Sequence, residues 1–289
     1  MPAERCQPPR RTITPPKVKA PAGSVDCHFH IFGPDTQYLY AATRGYTPPE
    51  ALIPHYERMI ATLGIERMVI VHPSVYGTDN RCSLDSMAGL GRDRCRMVAV
   101  LDERVSDGAL KQMAAVGVCG VRFNFVNVGG PSRDILETVV RRVARLGWHL
   151  QVYVEGEQLP ELGPILARLP VPVVVDHMGQ IMTGWGVDHP AVSALRRLID
   201  SGRGWVKLCG YRCSSAGYPY ADVTPLARAL IGTAAERCLW GTDWPHPNIE
   251  STMPDDGELL DLLTDWAPSA AIRHKILVDN PAALYGFPE

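Results

Sequence analysis

Two histidines one residue apart, in the stretch VDCHFHIFGP that runs from Val25 to Pro34, are the first place in this 289-residue chain where chemistry is to be expected. On a strand, successive side chains alternate between faces, so His28 and His30 point the same way. Imidazoles so placed serve as metal ligands or as groups that handle protons near neutral pH, although a single strand-end histidine is more often packing. A third histidine, His177 in VPVVVDH, and a carboxylate, Asp243 in CLWGTD, stand at the ends of other apolar runs. Three imidazoles and a carboxylate form an acceptable set for one zinc, or an acid–base cluster without metal.

Whether these four meet depends on the elements that carry them. Eight short apolar runs read as strands: residues 24–30, 67–72, 96–101, 120–124, 149–155, 171–177, 205–209 and 238–243. Amphipathic segments with apolar residues three and four apart separate them, such as SRDILETVVRRVARLG and HPAVSALRRLIDSG. Eight such units imply a (β/α)8 TIM barrel over residues 24–289, preceded by an extended, proline-rich arm over residues 1–23. The alternative, a doubly wound open sheet, would more often show a GxGxxG turn after its first strand, and HFHIFGP has none.

A barrel assembles its site at the C-terminal ends of its strands. Those ends carry His28 and His30, His72 with Ser74, Asp102 with Glu103, Arg122 with Asn124, Tyr153 with Glu155, Asp176 with His177, Lys207, and Asp243. Alternation predicts that Asp176, next to His177, points away into the layer between barrel and helices. Trp244, His246 and Asn248, in the loop DWPHPN, are expected to hold Asp243 in place.

The bulk composition excludes several classes. With 46% hydrophobic and 21% charged residues the chain can bury a sizeable core, and its net charge of −2 gives no electrostatic reason to bind nucleic acid or an anionic membrane. No run approaches the roughly 18 apolar residues of a membrane span, and the first residues lack a secretion signal's apolar segment. Eight cysteines without a CxxC pair fit reduced, packing thiols, so a cytoplasmic enzyme acting on a small molecule, as monomer or small homo-oligomer, is expected.

Beyond these physical readings, the HxH of the first strand, DHMG at the sixth and GTDWPHPN at the eighth resemble the amidohydrolase superfamily. More narrowly, GYTPPEA, VIVHPSVYGTDN, GVRFNFV, PDDGELL and HKILVDNPAALYGF resemble its 2-pyrone-4,6-dicarboxylate lactonase family, from about residue 24 onward. The resemblance implies opening of a carboxylated lactone in aromatic-compound catabolism without a metal. The two-metal relatives place a carboxylated lysine or a glutamate at strand four and a histidine at strand five. Here Arg122 and Tyr153 occupy those places, and a guanidinium offers a metal no lone pair. No cofactor is therefore expected, with one zinc on His28, His30, His177 and Asp243 as the alternative.

For such a reaction Asp243 is the expected general base toward water, while His28, His30 and His177, protonated or as N–H donors, polarise the carbonyl. Arg122 and Arg212 are candidates for pairing with a substrate carboxylate bidentately, and Tyr46 and Tyr153 match family positions that hydrogen-bond the ligand. Ser74 and Gln180 complete the candidate substrate contacts. The family pattern carries further arginines where this chain has VNVGG (residues 126–130) and Gln180, so a less acidic lactone is expected unless Arg133 compensates. Rival readings are a sugar-acid lactone isomerase on the same scaffold, a mononuclear zinc hydrolase or decarboxylase, and a binding module without catalysis.

Overall fold

The computed structural model describes residues 5–127, 130–249 and 252–287. Strands β1 (Val25–Phe29), β2 (Arg67–Val71), β3 (Cys95–Ala99), β4 (Val118–Asn124), β5 (His149–Tyr153), β6 (Val173–Val175), β7 (Gly204–Leu208) and β8 (Cys238–Trp240) pair in parallel in chain order. The ring closes through the residues just past β8: the Asp243 N–H donates to the His28 carbonyl and the His30 N–H to the Trp244 carbonyl, both at 2.8 Å. The expected (β/α)8 barrel is therefore present.

Its outer layer is formed by helices α1 (Ile53–Leu63), α2 (Arg81–Leu90), α3 (Asp107–Val116), α4 (Leu136–Ala144), α5 (Leu159–Leu166), α6 (Pro190–Asp200), α7 (Thr224–Thr233) and α8 (Asp256–Trp266). Local chemistry sets their limits. Ser106 caps α3 by accepting from the Ala109 N–H, and Gly117, at φ +116°, ends it where a side chain would be strained. In α4 the residues Leu136, Val139, Val140 and Val143 are buried while the charged ones face out, which is the 3.6-residue stripe read from sequence. Two closing helices, α9 (Ala270–His274) and α10 (Asn280–Tyr285), bring Tyr285 and Phe287 into one apolar cluster with Val25, Cys27, Val69, Val71 and Val98. Among the described residues no helix is long and apolar enough to cross a membrane.

Two irregularities matter for the site. The β1–β2 register shifts between Asp26 and Phe29, a bulge of the kind that re-aims side chains beside active sites. Strand β6 ends at Val175, two residues earlier than read from the sequence, because His177, Met178, Gly179 and Gln180 all take positive φ.

Residues 6–23 contain no helix or strand and lie along the barrel, while residues 1–4 of the expected arm fall outside the described ones. Cys6 N–H donates to the Thr47 carbonyl at 2.9 Å, and the Asn248 N–H reaches Cys6 Sγ at 3.3 Å. Further along, the Thr14 N–H donates to Asp255, which also caps α8 through the Gly257 N–H, and the Lys17 N–H donates to Asp261 at 2.8 Å.

Candidate active site

The four residues that motivated the reading converge. Oδ1 of Asp243 lies 3.6 Å from His28 Nε2, 3.5 Å from His30 Nε2 and 3.9 Å from His177 Nε2. Its Oδ2 accepts from the Tyr211 hydroxyl and from Arg212 Nε, both at 2.5 Å. Asp243 and His177 sit at φ +63° and +49°, in the left-handed region that non-glycine residues rarely occupy. That backbone strain is concentrated at the two strand ends that deliver the base and one imidazole, a placement typical of functional sites.

Burial governs the charge state of the cluster. Desolvation lowers the pKa of all three histidines: His28 well below its usual value despite Asp176, His30 below it despite Asp243, and His177 to about 3. Asp243 goes the opposite way. Burial alone would raise its pKa, but Arg212 foremost holds it well below the usual carboxylate range. The site is thus one carboxylate among three neutral imidazoles.

Neutral rings have one donor and one acceptor nitrogen, so their partners assign them. His30 Nδ1 lies 2.6 Å from the Val71 carbonyl, which only accepts, so Nδ1 carries the hydrogen and Nε2 turns its lone pair toward Asp243. His28 Nδ1 faces Lys207 Nζ at 3.4 Å and Asp176 Oδ1 at 3.3 Å. Only the lysine contact has hydrogen-bond geometry, which leaves the hydrogen on Nε2. The expectation that all three histidines donate to a carbonyl is corrected for His30: as a neutral ring it is an acceptor.

Beneath the histidines lies a polar layer. Asp176 points into the barrel, not toward the helices, because alternation continues from the inward Val174, and the left-handed turn that begins at His177 brings that residue inward beside it. Asp176 Oδ2 accepts from Arg122 Nε at 3.1 Å and from Gln151 Nε2 at 3.0 Å, and Gln151 Oε1 accepts from the buried Lys207 at 2.7 Å. Each buried charge in this layer has a partner, as burial in low dielectric demands.

His30, His177, Asp243, Arg122, Tyr153, Tyr46, Arg212, Ser74 and Gln180 line one cavity of about 200 Å³ at the barrel mouth, with Asn124, Val126, Asn127, Pro247 and Asn248. His28 sits just under it. Gln180 Nε2 donates to the Tyr153 hydroxyl at 2.5 Å, leaving the phenolic hydrogen for another acceptor. Both arginines line the cavity with part of the guanidinium already engaged. Arg122 spends its Nε–Nη2 edge on Asp176, which leaves its Nη1–Nη2 edge for a ligand, and Arg212 spends Nε on Asp243 and one Nη2 hydrogen on the Pro247 carbonyl. Arg133 pairs with Glu161 on the surface at 3.0 Å and does not compensate. Within the VNVGG loop, Val128 and Gly129 lie outside the described residues.

Elsewhere, Asp102 is bound to Arg104 on the surface, and His72 is buried against Ser83. His246 donates its backbone N–H to the Asp243 carbonyl at 2.8 Å and meets Asp256 at 3.1 Å, which fits the expected support for Asp243. Tyr211, Gln151 and the bonding role of Lys207 were missed. Tyr211 adjoins Arg212, but an aromatic residue in a loop carries no signal of a carboxylate partner.

One divalent cation fits this donor set. His30 Nε2 already turns its lone pair inward, His28 would do so with Nδ1–H on Asp176, and His28, His30 and Asp243 offer ligand atoms within 4.8 Å of one another. An imidazole whose second nitrogen donates to a backbone carbonyl is the usual support for a metal ligand. A second metal does not fit, since Arg122 projects from β4 where a bridging ligand would stand.

A parallel barrel whose mouth gathers imidazoles around a buried carboxylate defines a class of enzyme that activates water against a polarised carbonyl. The amidohydrolase family model matches residues 25–287. The chain is 40% identical to a 2-pyrone-4,6-dicarboxylate hydrolase of Comamonas testosteroni, over 93% of this chain and 92% of that protein. It is 39% identical to a 4-sulfomuconolactone hydrolase of Hydrogenophaga intermedia, over 98% and 95%. A D-galactarolactone isomerase of Agrobacterium fabrum is 33% identical over 94% of each chain. A solved Agrobacterium tumefaciens structure superposes with a TM-score of 0.85 at 31% identity, covering 94% of this chain and 99% of that one. The chain belongs to the amidohydrolase family, in the branch of the 2-pyrone-4,6-dicarboxylate hydrolases.

Proposed function

We propose that the protein hydrolyses a carboxylated lactone, as the relatives named lactone hydrolases do. The observation that carries this reading is the pair of acceptors, Asp243 Oδ1 and His30 Nε2, held 3.5 Å apart at the cavity floor. A water donating to both keeps its lone pairs free for a carbonyl carbon. As the new C–O bond forms, Asp243 takes one proton of the water. The developing oxyanion is met by the His177 N–H, by Arg122 Nη1 and by the Tyr153 hydroxyl, with Arg122 held by Asp176, Tyr153 by Gln180, and His28 beneath them against Asp243. Collapse breaks the ring C–O bond, Asp243 returns the proton to the leaving oxygen, and the product is a hydroxy acid that releases a proton at neutral pH.

We take the reaction to proceed without metal. A second reading, one zinc on His28, His30, His177 and Asp243, rests on the His30 tautomer described above. When bound, such a cation would polarise the carbonyl as a Lewis acid. The eight cysteines, none in a disulfide, support a cytoplasmic setting, and a role in aromatic-compound catabolism, with a monomer or small homo-oligomer as the working form, belongs to the same proposal.

A lactone panel followed by proton release, with and without chelator and with metal content measured, tests these points together. Release of one proton per ring, unaffected by chelation in protein free of stoichiometric metal, is expected. Turnover without proton release would mean isomerisation, and loss of turnover with removal of one equivalent of zinc would establish the second reading.

A further inference from the structure

Asn124, the last residue of β4, lies two positions beyond Arg122 and on the same face of the strand, and it lines the cavity. It is 8% exposed. Its Oδ1 accepts from the Val126 N–H at 3.0 Å and the Asn127 N–H at 2.8 Å. Two backbone donors on one side-chain atom identify that atom as the oxygen, which settles which end of the amide is Nδ2. Nδ2 is buried and has no hydrogen-bond partner among the described residues. A buried donor left unmatched at the wall of a cavity is a bond kept for a ligand.

The charges of the site limit what that ligand carries. Arg122, Arg212 and Lys207 supply three positive charges, while Asp176 and Asp243 supply two negative ones directly against them. One positive charge is left, and Ser74, Asn124, Asn127, Gln180 and Asn248 add only neutral polar groups to the walls. A second substrate carboxylate would enter this enclosed space without a counter-charge.

Building on lactone hydrolysis as proposed above, we infer that Asn124 is a specificity-determining residue whose Nδ2 donates to an uncharged oxygen, and that the site takes lactones bearing a single carboxylate. A neutral amide reads a hydroxyl or carbonyl oxygen, whereas an arginine at that wall would read an anion.

The test compares 2-pyrone-6-carboxylate with 2-pyrone-4,6-dicarboxylate by proton release, each corrected for its own alkaline hydrolysis rate. The monocarboxylate is expected to have kcat/KM at least about tenfold higher. Asn124→Asp keeps the oxygen that closes the 124–127 turn, removes the donor and adds a negative charge. It is expected to raise KM for the monocarboxylate about tenfold or more, with kcat within about threefold and an unchanged thermal midpoint. An unchanged KM overturns the inference. Preference of the wild type for the dicarboxylate also overturns it and leaves lactone hydrolysis standing. Absence of proton release from both compounds and from the wider panel would remove both readings. Should the variant not fold, the comparison on wild-type protein decides alone.

Discussion

His149 and His177 are the same residue type in the same barrel, both fully enclosed and both driven by burial to a pKa of about 3, yet only one stands in a site. His149 opens β5 at the N-terminal end. Neither of its ring nitrogens has a hydrogen-bond partner among the described residues, and its ring packs edge-on to Tyr285 at 5.3 Å. Gly120 presses on it so closely that a Cβ there would lie 2.4 Å from the ring, so this position is solid packing. His177 stands at the opposite end, 3.9 Å from the Asp243 carboxylate and against open space. Burial and a perturbed pKa do not by themselves make a histidine chemical. A convergent carboxylate and room for a substrate do.

Substitutions at the two ends separate these cases. The largest effect is expected for Asp243→Asn, which removes the base while keeping the shape: turnover should fall by about a thousandfold or more. Near-normal proton release by that variant would put the base elsewhere. His177→Ala should cost a few hundredfold through one lost donor to the oxyanion, and a loss below about tenfold would return His177 to the same class as His149. Tyr211→Phe frees Asp243 Oδ2 of one short hydrogen bond, and a drop in kcat of roughly tenfold is expected, with KM little changed.

His149→Leu should leave turnover within about twofold, and its effect appears instead in acid stability. In the folded protein the His149 pKa lies near 3 against 6.5 for an exposed histidine. Between those values the unfolded chain binds a proton that the folded one refuses, so stability falls as pH drops through this window. The slope amounts to at most about 1.4 kcal/mol per pH unit for this group. Denaturant midpoints measured from pH 7 to pH 4 should therefore decline less steeply for His149→Leu than for wild type. Equal slopes would mean that His149 is protonated in the fold.

The barrel was legible because each strand is an apolar run closed by turn residues and each helix carries a stripe at the helical period. The histidines and Asp243 were legible because strand ends in a barrel share one mouth. What escaped depended on backbone conformations that no side-chain pattern announces. Asp176 was assigned to the wrong layer because alternation was counted from His177, and His177 faces inward only through a left-handed turn that breaks the alternation. The internal pairing of Arg122 and Arg212 was not legible because their partners, Asp176 and Asp243, are 54 and 31 residues away in sequence. Tyr211, Gln151 and the free amide of Asn124 acquire meaning only from hydrogen bonds made or left unmade across the barrel.

The arm has a consequence in the order of assembly. Its anchors on Asp255, Asp261 and Asn248 join residues 241–244 positions apart, so they are among the most distant contacts along the chain. During synthesis the arm emerges well before its docking surface. The wall carrying Tyr46, fastened through Thr47 to Cys6, and the loop carrying Asn248 are tied together only when the eighth strand and its helix have left the ribosome. The arm thus locks only after the barrel strands are made, and a chain stalled before residue 248 has its barrel strands up to β8 but an unfastened mouth.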